Sequence, residues 1–256
     1  MSAPLTEGAI AKMREMIGSG RLIPGARLPP EAELATQLGA SRNTVREAVR
    51  ALVTARVLDV RRGDGTYVTS LRPELLLEGF GAAVELIQDG FSLELIAVRR
   101  ILEPAATALA ASRVDEAALA ELAGRLQGMR DARSEAERIE HDAEFHRLVA
   151  GASGNETLAS MLNVVSSRTI RTRVWRGVTD EGAGPRSVTQ HEDILAALEA
   201  RDPDRASAAA LVHVATTEAW FRQALGDLMP PPVGSARDER SARRPRVKPT
   251  RRVGST

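Results

Sequence analysis

The 256-residue chain is 43% hydrophobic and 27% charged, the balance of a soluble globular protein with room for one large domain or two smaller ones. The absence of cysteine excludes disulfides and thiolate metal sites and fits a reducing cytoplasm; no apolar run approaches the ~18 residues of a membrane span, and the N-terminus lacks an export signal's layout. The net charge of +1 divides unevenly, +3 over residues 1–70, −8 over 71–228 and +6 over 229–256, so a polyanion is expected to meet the head rather than the body.

In chain order, residues 6–18 predict a first helix, ended by Gly18-Ser19-Gly20. A proline-punctuated connector, "RLIPGARLPP", leads to a short helix, "EAELATQL", closed by Gly39. Ser41 then caps "RNTVREAVRALVTA". Val45, Val49 and Leu52 form one stripe of that helix, and Arg42, Arg46 and Arg50 form another on a different face. "VLDV" and "TYVT" flank "RRGDG" as two short strands of a glycine-rich hairpin. From Pro73 to Leu228 periods near 3.6 dominate, which predicts an all-α bundle of six or seven helices with a break near Gly90. The Pro-, Arg- and Ser-rich end has almost nothing to bury and is expected to be disordered. The fold class is therefore mainly α, divided as 1–70, 71–228 and 229–256.

Helix, short helix, turn, Arg-rich helix and hairpin make a winged helix-turn-helix. A helix fits the major groove, and arginine offers bidentate contacts to guanine or a charge to phosphate. Arg61 and Arg62 beside Gly63 let cation and backbone approach the DNA from the wing. Residues 27–68 resemble the DNA-binding domain of the GntR family of bacterial transcription regulators. The landmarks are Leu28-Pro29, Glu31, Leu34-Ala35, Leu38-Gly39, Ser41-Arg42, Thr44 to Ala48 and Gly63 to Val68. That resemblance implies DNA contacts by Arg42 and Arg46, with Thr44 beside them and Arg62-Gly63 from the wing. Ala32 and Asn43 depart from the family's common arginine and threonine. Asn43 reads adenine or caps the helix, and these departures bear on which operator is read.

In the body, "IEHDAEFHRL" (139–148) concentrates two of the four histidines. The inward stripe of its helix is Ile139, Asp142, Phe145, His146 and Val149, which leaves His141 exposed. His191 heads the apolar stripe Ile194, Leu195, Leu198, and His213 shares one with Ala206, Ala209, Ala210 and Trp220. Each histidine alone is most simply a hydrogen-bonded core residue. A buried carboxylate is costlier, and three imidazoles with one carboxylate suit Zn²⁺ foremost, or Ni²⁺ or Mn²⁺. Periodicity does not say whether they converge.

Residues 93 to 222 resemble the helical effector domain of the FadR subfamily in its metal-binding (FCD) form, through "VRRILEPAA", "HDAEFHRLVAGASGN", "HEDILAAL" and the late His213. The resemblance implies Asp142, His146, His191 and His213 as metal ligands, and Arg99 as a clamp for a carboxylate effector. The alternative for Arg99 is a buried ion pair with a neighbouring acid. Trp175 stands 16 residues before His191, much as in galactonate-responsive members, a pointer to a sugar acid. Arg168, Arg171 and Arg173 are expected at the surface or an interface. The implied protein is a cytoplasmic homodimeric regulator, most often a repressor, that binds a short palindromic operator and senses a small carboxylate through a divalent metal. Two other classes stay open: a metal-dependent hydrolase, against which stands the lack of an evident general base, and a constitutive DNA-binding protein with a purely structural metal.

Overall fold

The computed structural model describes residues 3–77, 92–180 and 182–228. The break expected near Gly90 and the tail after residue 228 lie outside them. Ten helices with both ends described, a helical stretch over 73–77 and one two-stranded sheet lie among the described residues, and the chain is mainly α. No helix among these residues is long and apolar enough to cross a membrane.

The head holds α1 (Ala3–Gly18), α2 (Glu31–Leu38), α3 (Arg42–Thr54) and the strands β1 (Leu58–Arg61) and β2 (Gly65–Val68). Gly39 ends α2 at φ +62°, a left-handed turn that glycine adopts without strain. Ser41 caps α3, accepting from the Thr44 amide at 3.1 Å. The tight α2–α3 turn is therefore written in two residues. Val45, Ala48 and Leu52 turn the inner face of α3 onto Met13 of α1 and Leu34 and Leu38 of α2. The strands pair antiparallel in the register Leu58↔Val68 to Arg61↔Gly65, each one residue nearer the turn than the alternation predicts. Gly63, at φ +76°, makes the turn.

The bundle comprises α4 (Ser92–Ala111), α5 (Glu116–Asp131), α6 (Glu135–Ala152), α7 (Glu156–Arg168), α8 (Ile170–Thr179), α9 (Ala183–Glu199) and α10 (Pro203–Leu228). Beyond these seven, residues 73–77 are also helical, so the described part of the body already exceeds the expected six or seven helices. Asp115, Ser134 and Asn155 cap α5, α6 and α7 through their side chains. Apolar faces of α5, α6, α9 and α10 close one core around Leu122, Phe145, Ile194 and Leu198, each at most 1% exposed. α10 packs along α4, and α6 lies against α4, α5, α7 and α8. That central position of α6 puts Asp142 and His146 inside the bundle.

Two expectations are corrected. His141 is half-buried rather than exposed, because its ring lies over Gly128 of α5, where a side chain is missing. Arg173 is not at the surface: it is 5% exposed and paired with Asp142. A buried carboxylate needs a counter-charge, and α8 supplies it.

Candidate functional site

On α3, Arg42, Asn43, Arg46 and Arg50 are exposed, whereas Thr44 is half-buried with its hydroxyl 2.8 Å from that of Ser41. Arg46 is held by Glu31, its Nε and Nη2 donating at 3.3 and 2.8 Å, and Arg50 donates to Glu47 at 2.8 Å. Arg62 and Gly63 stand exposed at the wing tip. Arg61 lies over the Tyr67 ring at 4.1 Å, and Arg27 pairs with Asp64 across the wing's base. The head thus presents a row of water-exposed cations on one helix and one hairpin, the layout that a polyanion requires.

In the bundle, Asp142 and His146 of α6, His191 of α9 and His213 of α10 each offer one ligand atom, and these atoms lie within 4.8 Å of one another. His146 Nε2 and His213 Nε2 are 3.2 Å apart, and His191 Nε2 is 3.4 Å from Asp142 Oδ1. For two of the rings the far side fixes the tautomer. His191 Nδ1 is 2.7 Å from the Ser187 carbonyl, which only accepts, so Nδ1 carries the proton. His213 Nδ1 faces the Gln190 carbonyl oxygen at 3.1 Å; that amide is oriented by its own donation to Thr216, whose hydroxyl donates to Val212. His146 Nδ1 faces the Glu103 carboxylate at 3.4 Å. The Nε2 lone pairs of His191 and His213 therefore point inward, that of His191 toward the Asp142 carboxylate and that of His213 toward His146 Nε2. Three ring nitrogens and a carboxylate oxygen gathered in one buried place make a donor set that a cation can complete. His191 Nε2 is buried without a hydrogen-bond partner, as a ligand atom would be. The residues fit a divalent metal of borderline or nitrogen-favouring character.

Electrostatics keep the rings ready. Burial pushes His146 down to about 3, opposed by Glu103, and His191 down to about 4, opposed by its bond to Ser187. Burial lowers His213 well below its ordinary range, and the two neighbouring rings add to the shift. All three are neutral near pH 7, the form that binds metal. Burial would raise the Glu103 carboxyl, but Arg99 and His146 outweigh it and hold it at about 2.

Residues 5–68 match the family described as bacterial regulatory proteins of the gntR type, and residues 94–216 match the FCD domain. The chain is 31% identical over 209 residues to the HTH-type transcriptional regulator LutR of Bacillus subtilis, covering 79% of this chain and 94% of that one. It belongs to the GntR family of transcription regulators. It is also 28% identical over 224 residues to the galactonate operon transcriptional repressor of Escherichia coli K12, covering 85% of this chain and 96% of that one. Among solved structures, a Streptococcus agalactiae GntR protein superposes with a TM-score of 0.64 at 29% identity, over 84% of this chain and 99% of that one. The chain is a regulator, not an enzyme: both families and these relatives are transcription regulators.

In this GntR protein Arg99 is 1% exposed, its Nε donating to Glu103 at 2.6 Å and its Nη1 to the Thr169 hydroxyl at 3.0 Å. The buried ion pair weighed as its alternative role is therefore present, one contact away from His146. A cleft of about 390 Å³ opens beside the pair, lined by Glu103, His146, Asn163, Ser166 and Arg147 among others. Trp175 is 38% exposed and packs with Trp220 at 5.1 Å and Phe221 at 6.2 Å; these ring contacts do not include the histidines. Glu103 and Arg173 were missed from sequence. Glu103 had a usable signal in its i, i+4 spacing from Arg99. Arg173 had none, because an arginine-rich helix reads as a solvated one.

Proposed function

We propose that the protein is a metal-dependent sensor that binds operator DNA and responds to a small carboxylate or sugar acid. The observation that carries this reading is the convergence of three histidine rings and Asp142, one potential ligand atom from each within 4.8 Å of the others, inside an FCD bundle. In it, residues 1–70 read DNA, 71–228 bind metal and effector, and 229–256 form a basic tail. Arg42, Asn43, Thr44 and Arg46 face the major groove, with Arg62 and Gly63 at the wing.

Asp142, His146, His191 and His213 would hold the metal, with Zn²⁺ first and Ni²⁺ or Mn²⁺ next. When bound, such an ion supplies open coordination positions for a carboxylate or α-hydroxy acid. Arg99 takes the same acid through a charge-assisted pair, in competition with Glu103. That exchange releases Glu103 and, through it, the contact to His146, so ligand occupancy is coupled to the packing of α4 against α6. Exposed Val98 and Ile101 on α4 and Leu211 and Val212 on α10, two helices packed together, support a homodimer through this face. Two heads then read a palindrome, and a shift of the bundle changes their spacing. The galactonate repressor's printed role supports repression and a sugar acid.

The test is elemental analysis followed by operator titration. The wild type is expected to hold about one divalent ion per chain, removable by a chelator. His191→Ala is expected to lose most of it. An acid that binds is expected to release operator from wild type and not from Arg99→Ala, because coupling needs different affinities in the two states. Metal-free protein after loading would return the histidines to an ordinary core. Ion without any acid response would leave the metal structural.

A further inference from the structure

Four guanidiniums lie inside the bundle: Arg99, Arg138, Arg173 and Arg176, at 1, 8, 5 and 7% exposure. Three of them have a carboxylate within ion-pair distance, namely Glu103 for Arg99, Glu135 for Arg138 and Asp142 for Arg173. Arg176 instead donates to a neutral hydroxyl, that of Thr217, at 2.7 Å. Asp180 attracts it only at longer range and is itself taken by Arg186. Glu218, the remaining buried carboxylate, is taken by Arg100 and Arg222 from the rim, so no buried carboxylate among the described residues is within ion-pair distance of Arg176.

The shortage has a location. Arg138 lies one turn before Asp142 on α6, and Arg176 lies one turn after Arg173 on α8. The Asp142–Arg173 pair ties the two helices together, so Arg138 and Arg176 fall on one side of it. Glu135, which holds Arg138, lies against Gly177 beside Arg176, and Asp142 ties Arg173 to the same helix pair, which places the three cations near one another. Each also carries a buried N–H with no acceptor among the described residues: Nη1 of Arg138, Nε of Arg173 and Nε of Arg176. Unpaired buried donors of this kind are rare, and three on adjacent cations call for an anion rather than a neutral acceptor.

We infer that Arg138, Arg173 and Arg176 form a second anion subsite one helical turn from the histidine cluster, which makes the effector a diacid. One turn is about 5.4 Å, a span bridged by a diacid of roughly four to six carbons. One carboxylate then sits with Arg99 at the cluster, and the other satisfies the orphaned donors. This rests on the carboxylate-sensing reading above and narrows it: a monoacid fills the first place and leaves the second charge unmet.

The test is calorimetry on the full-length, metal-loaded protein with straight-chain diacids from malonate to adipate, each against the monoacid of equal length. The best diacid is expected to bind at least about ten-fold more tightly than its monoacid, the worth of one charge-assisted hydrogen bond to a buried cation. Arg176→Met is expected to erase that margin by weakening the diacid alone, with metal content unchanged. Arg176→Lys, which keeps the charge, is expected to retain part of the margin, and guards against a variant that merely misfolds. Equal binding of both acid classes overturns the subsite and leaves carboxylate sensing intact, water then being what the donors hold. A loss in Arg176→Met common to both acids also overturns it. If neither class binds wild type, the sensing reading falls and the subsite with it.

Discussion

Head and bundle use the same side chain in opposite ways. Arg42, Arg46, Arg50 and Arg62 of the head are in water, and their acidic partners Glu31 and Glu47 are surface groups as well. Arg99, Arg138, Arg173 and Arg176 of the bundle are buried and held by buried or half-buried acids or by buried hydroxyls. An exposed ion pair contributes roughly 0–1 kcal/mol, so Arg46 can leave Glu31 for a phosphate or a guanine at little cost. A buried cation has no such freedom. Its desolvation has already been met by the fold, and it discriminates among anions that are small enough to enter. On the proposed function, reading a long polyanion and sensing a small anion would thus separate by burial, not by residue type.

The sharpest way to break this contrast is to delete the buried cation that faces Asp142, the carboxylate of the proposed metal site. Arg173→Ala leaves Asp142 as an uncompensated buried carboxylate, a change that costs about 3–5 kcal/mol. The full penalty is expected in chelator-treated protein and a smaller one after metal loading, because the ion replaces the missing charge. Urea denaturation with and without chelator checks this. Equal losses in the two states would show that Arg173 and the metal do not share Asp142.

The next effect follows from the neutral rings. In the unfolded chain a histidine titrates near 6.5, whereas His191 and His146 in the metal-free fold titrate at about 4 and 3. The unfolded state therefore binds more protons below pH 6.5. Stability is full above that value and is lost as pH falls toward 4 and 3, at up to about 1.4 kcal/mol per unit for each ring. Denaturation midpoints of metal-free protein at pH 7.5 and 5.5 are expected to differ in that direction. A flat profile would mean that the rings are solvated.

How much of this could be read from the chain depends on the same burial. In α3 the faces separate cleanly, since Val45, Ala48 and Leu52 alternate with Arg42, Arg46 and Arg50 at helical spacing. Asp142, His146, His191 and His213 were also legible, because each sits on a stripe of apolar neighbours and so had to point inward. Arg173 and Glu103 were not. α8 reads "IRTRVWRGVT", where no apolar stripe marks an inner face, and its arginines are indistinguishable by spacing alone. What buries Arg173 is a carboxylate on another helix, 31 residues away. Periodicity reports a residue's own helix and is silent about its partner.

In the head, Arg46→Ala and Arg42→Ala are expected to weaken operator binding by about 1–3 kcal/mol each while leaving the melting temperature nearly unchanged. This is the inverse of Arg173→Ala, where stability moves first. Binding isotherms at matched salt decide it. Wild-type affinity in both variants would remove α3 from the groove.

The smallest expected effect falls on a single helix and tests how finely burial assigns roles. His141 and His146 are five residues apart on α6, and both are partly buried. His146 turns Nε2 toward His213, whereas His141 lies over Gly128 of α5, filling the space of an absent side chain. The proposed site therefore leaves His141 to packing. His141→Ala is expected to remove only a half-buried ring, at a cost of about 1 kcal/mol, because the lost apolar contact is small. Its metal content and the acid response of its operator complex should match those of wild type. His146→Ala should lose most of the ion although it removes an identical ring. If His141→Ala also empties the site, the ligand set extends across the α5–α6 contact, and the contrast between a packed and a coordinating face of this helix is wrong.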